Sequence, residues 1–172
     1  MAKQIRAVAW RRLERPYTRK SKYRKKDYVR GVPNSKIVKY VMGNKSKEYG
    51  YQVVMKSKQN IQIRHNALEA ARKTANKILE QKAPQNYMLR IRSYPHHVLR
   101  NNPLAAGAGA DRMSTGMSHS FGKPVGIAAR IKKGQVVMEV FVNEKHINWA
   151  KQALRRARMK FPCDFYVEEI KL

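Results

Sequence analysis

Several stretches of this chain carry side chains that could do chemistry, and each can be tried against the spacing that chemistry needs. Gly116 to Lys123 has the outline of a phosphate-binding loop. Five residues separate Gly116 from Gly122 where four are required, however, and Pro124 stands where a Ser or Thr would meet magnesium. Gly107 and Gly109 lack the third glycine of a dinucleotide fingerprint, and Gly116-Met117-Ser118-His119-Ser120 misses the last glycine of a nucleophile elbow. His96, His97 and His119 are candidate metal ligands, but neighbours on an extended chain point to opposite faces and no acidic third ligand sits at a suitable spacing. Asp111 is the only acid between Glu80 and Glu139, which leaves no paired carboxylates for acid–base work. The expectation is no enzyme, no cofactor, no metal and no small-molecule substrate.

What remains is charge. The chain has 38 Lys+Arg against 11 Asp+Glu, a formal net charge of +27. Self-repulsion on that scale disfavours a compact state unless counter-charge is bound, and the usual source is nucleic-acid phosphate. The first 30 residues hold twelve cations (Lys3, Arg6, Arg11, Arg12, Arg15, Arg19, Lys20, Lys22, Arg24, Lys25, Lys26 and Arg30) against Glu14 and Asp27, a local net of +10. Trp10, Tyr17, Tyr23 and Tyr28 are interleaved with them, and such rings stack on bases while cations take phosphates. The competing reading is a solvated tail whose aromatics dock on the core. Residues 1–35 are predicted to be a basic RNA-binding extension.

Residues 101–123 have the opposite character. Arg112 and Lys123 against Asp111 give a net of +1, and the small residues show neither a period of 2 nor one of 3.6. Connections longer than about 12–15 residues are uncommon in compact domains and are usually functional or disordered. A near-neutral, small-residue, flexible loop suits close backbone approach to a partner already held by the basic body. Asn101, Asn102, Gly107, Gly109, Asp111, Arg112, Met113, Ser114, Thr115, Gly116, Met117 and His119 are its candidate contact residues.

The flanking elements follow from periodicity. Alternating runs at 37–42, 51–57 and 61–63, punctuated by Gly43-Asn44 and Gly50, predict an antiparallel meander. Asn66 with Glu69 predicts a capping box opening a helix whose stripe is Leu68, Ala71, Ala75, Ile78 and Leu79, ended before Pro84. Tyr87 to Tyr94 alternates so that Tyr87, Leu89 and Ile91 face the core while Arg90 and Arg92 face outward as RNA contacts. A strand over 125–131 turns at Lys133-Gly134 into one over 135–142, so the long loop leaves and re-enters a sheet. Asn143 is predicted to cap a second helix with the stripe Ile147, Ala150, Leu154 and Ala157 and a basic ridge of Lys151, Arg155 and Arg158. With a last strand at 165–170, this is an α+β protein: two helices on a mixed or antiparallel sheet.

At 172 residues with 42% hydrophobic content, one domain is expected. No apolar run reaches the roughly 20 residues of a membrane span, no secretory leader is visible, and a lone Cys163 fits a reducing compartment.

The segments IRHNALEAARKTANK (63–77), RIRSYPHHVLRNN (90–102), AGAGADRMSTGM (106–117), FGKPVGIAARI (121–131) and RRARMKFP (155–162) resemble the archaeal branch of a large-subunit ribosomal protein family, L-sixteen in bacteria and L-ten-e in archaea. The resemblance covers nearly the whole chain. It implies an α/β-hammerhead type α+β fold, a cytoplasmic ribosomal location, and binding to ribosomal RNA and neighbouring ribosomal proteins. It also implies that residues 101–119 reach toward the tRNA acceptor ends near the peptidyl-transferase centre. An RNA-processing or RNA-modifying enzyme with a basic body is the alternative, for which Asp111 would be the one candidate carboxylate, and a DNA architectural protein is a further rival.

Overall fold

Both 3.6-period stripes form helices and most of the alternating runs form strands, but the run at 37–42 yields only the short strand Val41–Gly43, the run from Tyr87 ends at Ile91, and a strand the alternation did not predict forms at His97–Asn101. The computed structural model describes residues 6–13, 23, 25, 31–102, 107, 109, 116–117 and 120–172. In chain order the elements are β1 (Val41–Gly43), β2 (Tyr51–Ser57), β3 (Ile61–Arg64), α1 (His65–Lys82), β4 (Tyr87–Ile91), β5 (His97–Asn101), β6 (Lys123–Ile131), β7 (Val136–Val142), α2 (Ile147–Arg158) and β8 (Phe165–Lys171). A five-stranded sheet has the order β1-β4-β7-β2-β8 and a three-stranded sheet the order β3-β6-β5. All pairings are antiparallel. The expected α+β class holds, with two sheets in place of one.

The connectivity differs from the expected meander. None of β1, β2 and β3 pairs with the next: β1 lies on β4, β2 between β7 and β8, and β3 on β6. The turn residues between them are real, with Gly43 at φ +87°, but a turn only reverses the chain, whereas pairing is decided by which faces can share a core. For the same reason the tight turn at Gly134 (φ +80°) carries β6 into β7 across sheets and forms no hairpin.

One face of the large sheet, with Val53 and Met55 of β2, Leu89 and Ile91 of β4, and Met138 and Val140 of β7, packs on Leu68, Ala71, Ala75 and Leu79 of α1 and on Ala150, Ala153, Leu154 and Ala157 of α2. Ile61, Ile63, Ala129 and Ile131 of the small sheet join the same core. Removing a side chain as enclosed as Leu154 (0% exposed) is expected to cost about 2–5 kcal/mol. Alanines at five of these helix positions let the helices approach the sheet closely.

Neither predicted cap forms. Helix α1 begins at His65 with Arg64 as N-cap and no side-chain cap bond. Glu69 is held by Arg72, whose Nε and Nη2 donate to its carboxylate at 2.7 and 2.6 Å, so it does not reach back to the helix start. Asn143 precedes a 3-10 turn, Glu144–His146, without a side-chain cap bond, and α2 starts only at Ile147. Cys163 is half-buried just ahead of β8, as expected, and burial pushes its thiol pKa up.

Candidate nucleic-acid interface

Alternation along β4 buries Tyr87, Leu89 and Ile91 and turns Arg90 and Arg92 to the face away from the helices. On the next strand the same alternation puts Glu139 there too, because Arg90 and Glu139 are register partners. Glu139 is buried, at 4% exposure. Arg90 Nε stands 2.5 Å from its Oε1, Arg92 Nη1 lies 3.8 Å from the same oxygen, and the Gln52 amide donates to Oε2 at 2.9 Å. An isolated buried carboxylate would be expensive, and two nearby guanidinium charges together with one amide hydrogen bond make it tolerable. The Arg90 guanidinium also lies over the Phe141 ring, 5.1 Å from its centroid. Arg92, the more exposed of the pair, keeps more of its charge available to a partner.

The basic arm meets the small sheet at β3. Gln62 N–H donates to the Arg11 carbonyl and its side-chain amide to the Trp10 carbonyl, both at 3.0 Å, so the chain at 10–11 covers the outer edge of that strand. Arg11, Arg12 and Lys25 are exposed. Arg15, Tyr17, Arg19, Lys20, Lys22, Arg24, Lys26 and Arg30 lie outside the described residues.

The predicted ridge on α2 divides. Lys151 Nζ is 2.7 Å from Glu169 and Arg158 Nη2 is 3.6 Å from Asp164, both acids at the β8 side of the helix. Arg155 is exposed.

The long loop is clasped at its base. It leaves β5 and re-enters β6, where Asn101 and Lys123 are paired. Gly122 has φ +73°, and a Cβ on it would fall 2.5 Å from the Asn101 carbonyl carbon and 2.7 Å from the Asn102 nitrogen. Only glycine fits so close an approach at that backbone angle. Asn101 and Asn102 are half-buried, while Gly107, Gly109 and Met117 are exposed. Gly107, Gly109 and Gly116 all have positive φ. Asp111, Arg112, Met113, Ser114, Thr115 and His119 lie outside the described residues.

Two histidines near the loop legs are tuned by burial. His65 Nδ1 accepts from the Lys36 N–H at 3.1 Å, and burial, with positive Lys36 and Arg64 nearby, lowers its pKa. His97 is lowered by burial and by Arg130 and Arg100. Among the described residues no three His, Cys, Asp or Glu side chains are grouped to hold a metal ion, and no helix is long and apolar enough to cross a membrane. Sequence reasoning missed Glu139 as a partner of the arginines. The signal was present, since a lone acid inside the apolar run Val136–Val142 needs a cation.

Fold and charge together define a strongly basic α+β protein in which, among the described residues, Arg100 is the one buried cation. The sequence profile of the family described as ribosomal protein L16p/L10e matches residues 18–168. The chain is 50% identical over 157 residues to "Large ribosomal subunit protein uL16" of Archaeoglobus fulgidus, covering 91% of this chain and 87% of that one. Proteins of the same name from Staphylothermus marinus (53% over 148 residues, 86% and 82% covered) and Methanococcus maripaludis (54% over 141 residues, 81% and 82%) are similarly close. The chain belongs to the ribosomal protein L16p/L10e family.

Proposed function

We propose that the protein is a structural constituent of the large subunit of the cytoplasmic ribosome, and not an enzyme. The observation that carries this reading is the match over more than four fifths of both chains to relatives named as large-subunit proteins. In this reading the extension at residues 1–35 and the outward arginines hold ribosomal RNA by phosphate contacts, which position without reading sequence. The loop at 101–123 is placed near the tRNA acceptor ends beside the peptidyl-transferase centre, supporting tRNA positioning while RNA performs the chemistry. Its clasped base at Gly122 and Asn101 supports that assignment, because a finger set on two paired strands can be aimed.

Shortening residues 103–115 while keeping Asn101, Asn102 and Gly122 tests the division of labour. Incorporation into subunits should persist, and tRNA placement and peptide transfer should fall. A shortened protein that fails to enter subunits would make the loop an assembly element and remove the tRNA role.

A further inference from the structure

The two helices pack side by side, and their outer surfaces enclose a groove of about 360 Å³ lined by Thr74, Lys77, Ile78, Gln81, Lys82, Gln152 and Arg156. Three of these are cations and none is an acid. Lys77 and Lys82 come from α1, five residues and roughly 7.5 Å of helix rise apart, and Arg156 faces them from α2. Lys82 Nζ lies 5.1 Å from the centroid of the Trp149 ring, which is 37% exposed at the same pair of helices.

The ion pairs of α2 make these cations distinctive. On the β8 side Lys151 and Arg158 have Glu169 and Asp164, whereas among the described residues none of Lys77, Lys82 and Arg156 has a carboxylate within ion-pair distance. Three unneutralised cations converging on one concave surface repel one another, and an anionic occupant removes that repulsion. Apart from Ile78 the lining is polar, so the groove lacks the row of apolar anchors that seats a partner helix. Two amides and three cations match a sugar–phosphate backbone, and an exposed indole beside them can stack on a base.

We infer that the α1–α2 groove is a further RNA site, taking a stretch of ribose–phosphate backbone independently of the N-terminal arm and of the Arg90–Arg92 face. The inference rests on the ribosomal reading above but assigns a surface that neither the sequence patterns nor the resemblance pointed to. Arg156 on the groove, in place of the paired Lys151 and Arg158, is then an RNA contact of α2, alongside the exposed Arg155.

The test compares the full-length protein with two triple variants: Lys77→Gln, Lys82→Gln, Arg156→Gln in the groove, and Lys132→Gln, Lys133→Gln, Lys171→Gln at exposed positions remote from it. Binding to deproteinised large-subunit ribosomal RNA is measured across salt, binding to poly-L-glutamate serves as an acidic-chain control, and melting checks the fold. The groove variant should melt like the parent and lower the log–log salt slope by about 2, at roughly 0.7–0.9 per phosphate contact, with a smaller change in the remote variant. A groove variant whose slope moves no more than the remote one overturns the site while leaving RNA binding intact. Loss of poly-L-glutamate binding without loss of RNA binding would give the groove to an acidic protein segment and equally overturn the inference. If the parent itself shows no salt-dependent RNA binding, the ribosomal reading fails, and the groove assignment fails with it.

Discussion

Arg90 and Glu139 face each other across the β4–β7 pair, Nε to Oε1 at 2.5 Å, so an arginine that alternation turns outward is at the same time the counter-charge of a buried acid. Reversing both Arg90 and Arg92 to Glu therefore cannot separate RNA binding from folding, because it would crowd carboxylates around Glu139. Single changes can. Arg90→Glu should lower stability by about 1–3 kcal/mol, discounted from the full cost of breaking a buried pair because Arg90 is partly exposed. Arg92→Ala should change melting little and weaken RNA binding. If Arg92→Ala leaves RNA binding unaltered, Arg92 serves only as a partner to Glu139.

The tether at Trp10 and Arg11 alters how the arm should be tested. Deleting residues 1–30 would uncover the edge of β3 along with removing charge. Replacing Arg15, Arg19, Lys20 and Lys22 by Gln keeps the tether. The salt slope for RNA binding should drop by up to about 3, each lost phosphate contact contributing roughly 0.7–0.9, with melting unchanged. An unmoved slope would mean that this part of the arm touches no phosphate.

Gly122 and Gly134 share a positive φ but differ in their surroundings. A Cβ at Gly134 meets nothing within 4 Å, whereas one at Gly122 collides with the Asn101 backbone. Gly134→Ala should cost on the order of 1 kcal/mol, the ordinary penalty for a non-glycine residue in the left-handed region, while Gly122→Ala should cost clearly more and displace the loop legs. Equal losses in thermal melting would show that the clasp at the loop base is soft.

Stability should fall on the acid side through His65 and His97. Both have folded pKa values below the usual 6.5, so below that pH the unfolded chain binds more protons than the folded one. Their contribution is fully present above about 6.5 and is lost as pH falls toward the lowered folded values. The limiting slope is about 1.4 kcal/mol per pH unit for each histidine. His65→Gln, which retains an acceptor for the Lys36 N–H, should flatten this branch of the pH–stability curve measured by denaturant unfolding. An unchanged branch would show that His65 does not titrate differently on folding.

Much of this architecture was legible in the sequence because it depends on local period. The Tyr87–Ile91 alternation and both helical stripes follow from side-chain spacing, whereas the strand at His97–Asn101, which puts the start of the long loop in the same sheet as its end, did not. Strand pairing did not follow, since β2 finds β7 and β8 80 or more residues away and no local rule carries that information. The helix caps failed for a related reason: Glu69 had a better partner in Arg72, one turn along the same helix, than in the backbone at the helix start. At the interface, the sign and place of the charge could be read, but its pairing could not. Lys151 and Arg158 look identical to Arg156 in sequence, and only β8 packing beside α2 separates the paired from the unpaired.

The most direct test of the ribosomal assignment is sedimentation of the endogenous protein from a cell extract after a high-salt wash of the ribosomes. The protein should stay with the large subunit, held by many phosphate contacts. Quantitative recovery in the soluble fraction, or cosedimentation with DNA or a processing particle in place of the large subunit, would contradict it.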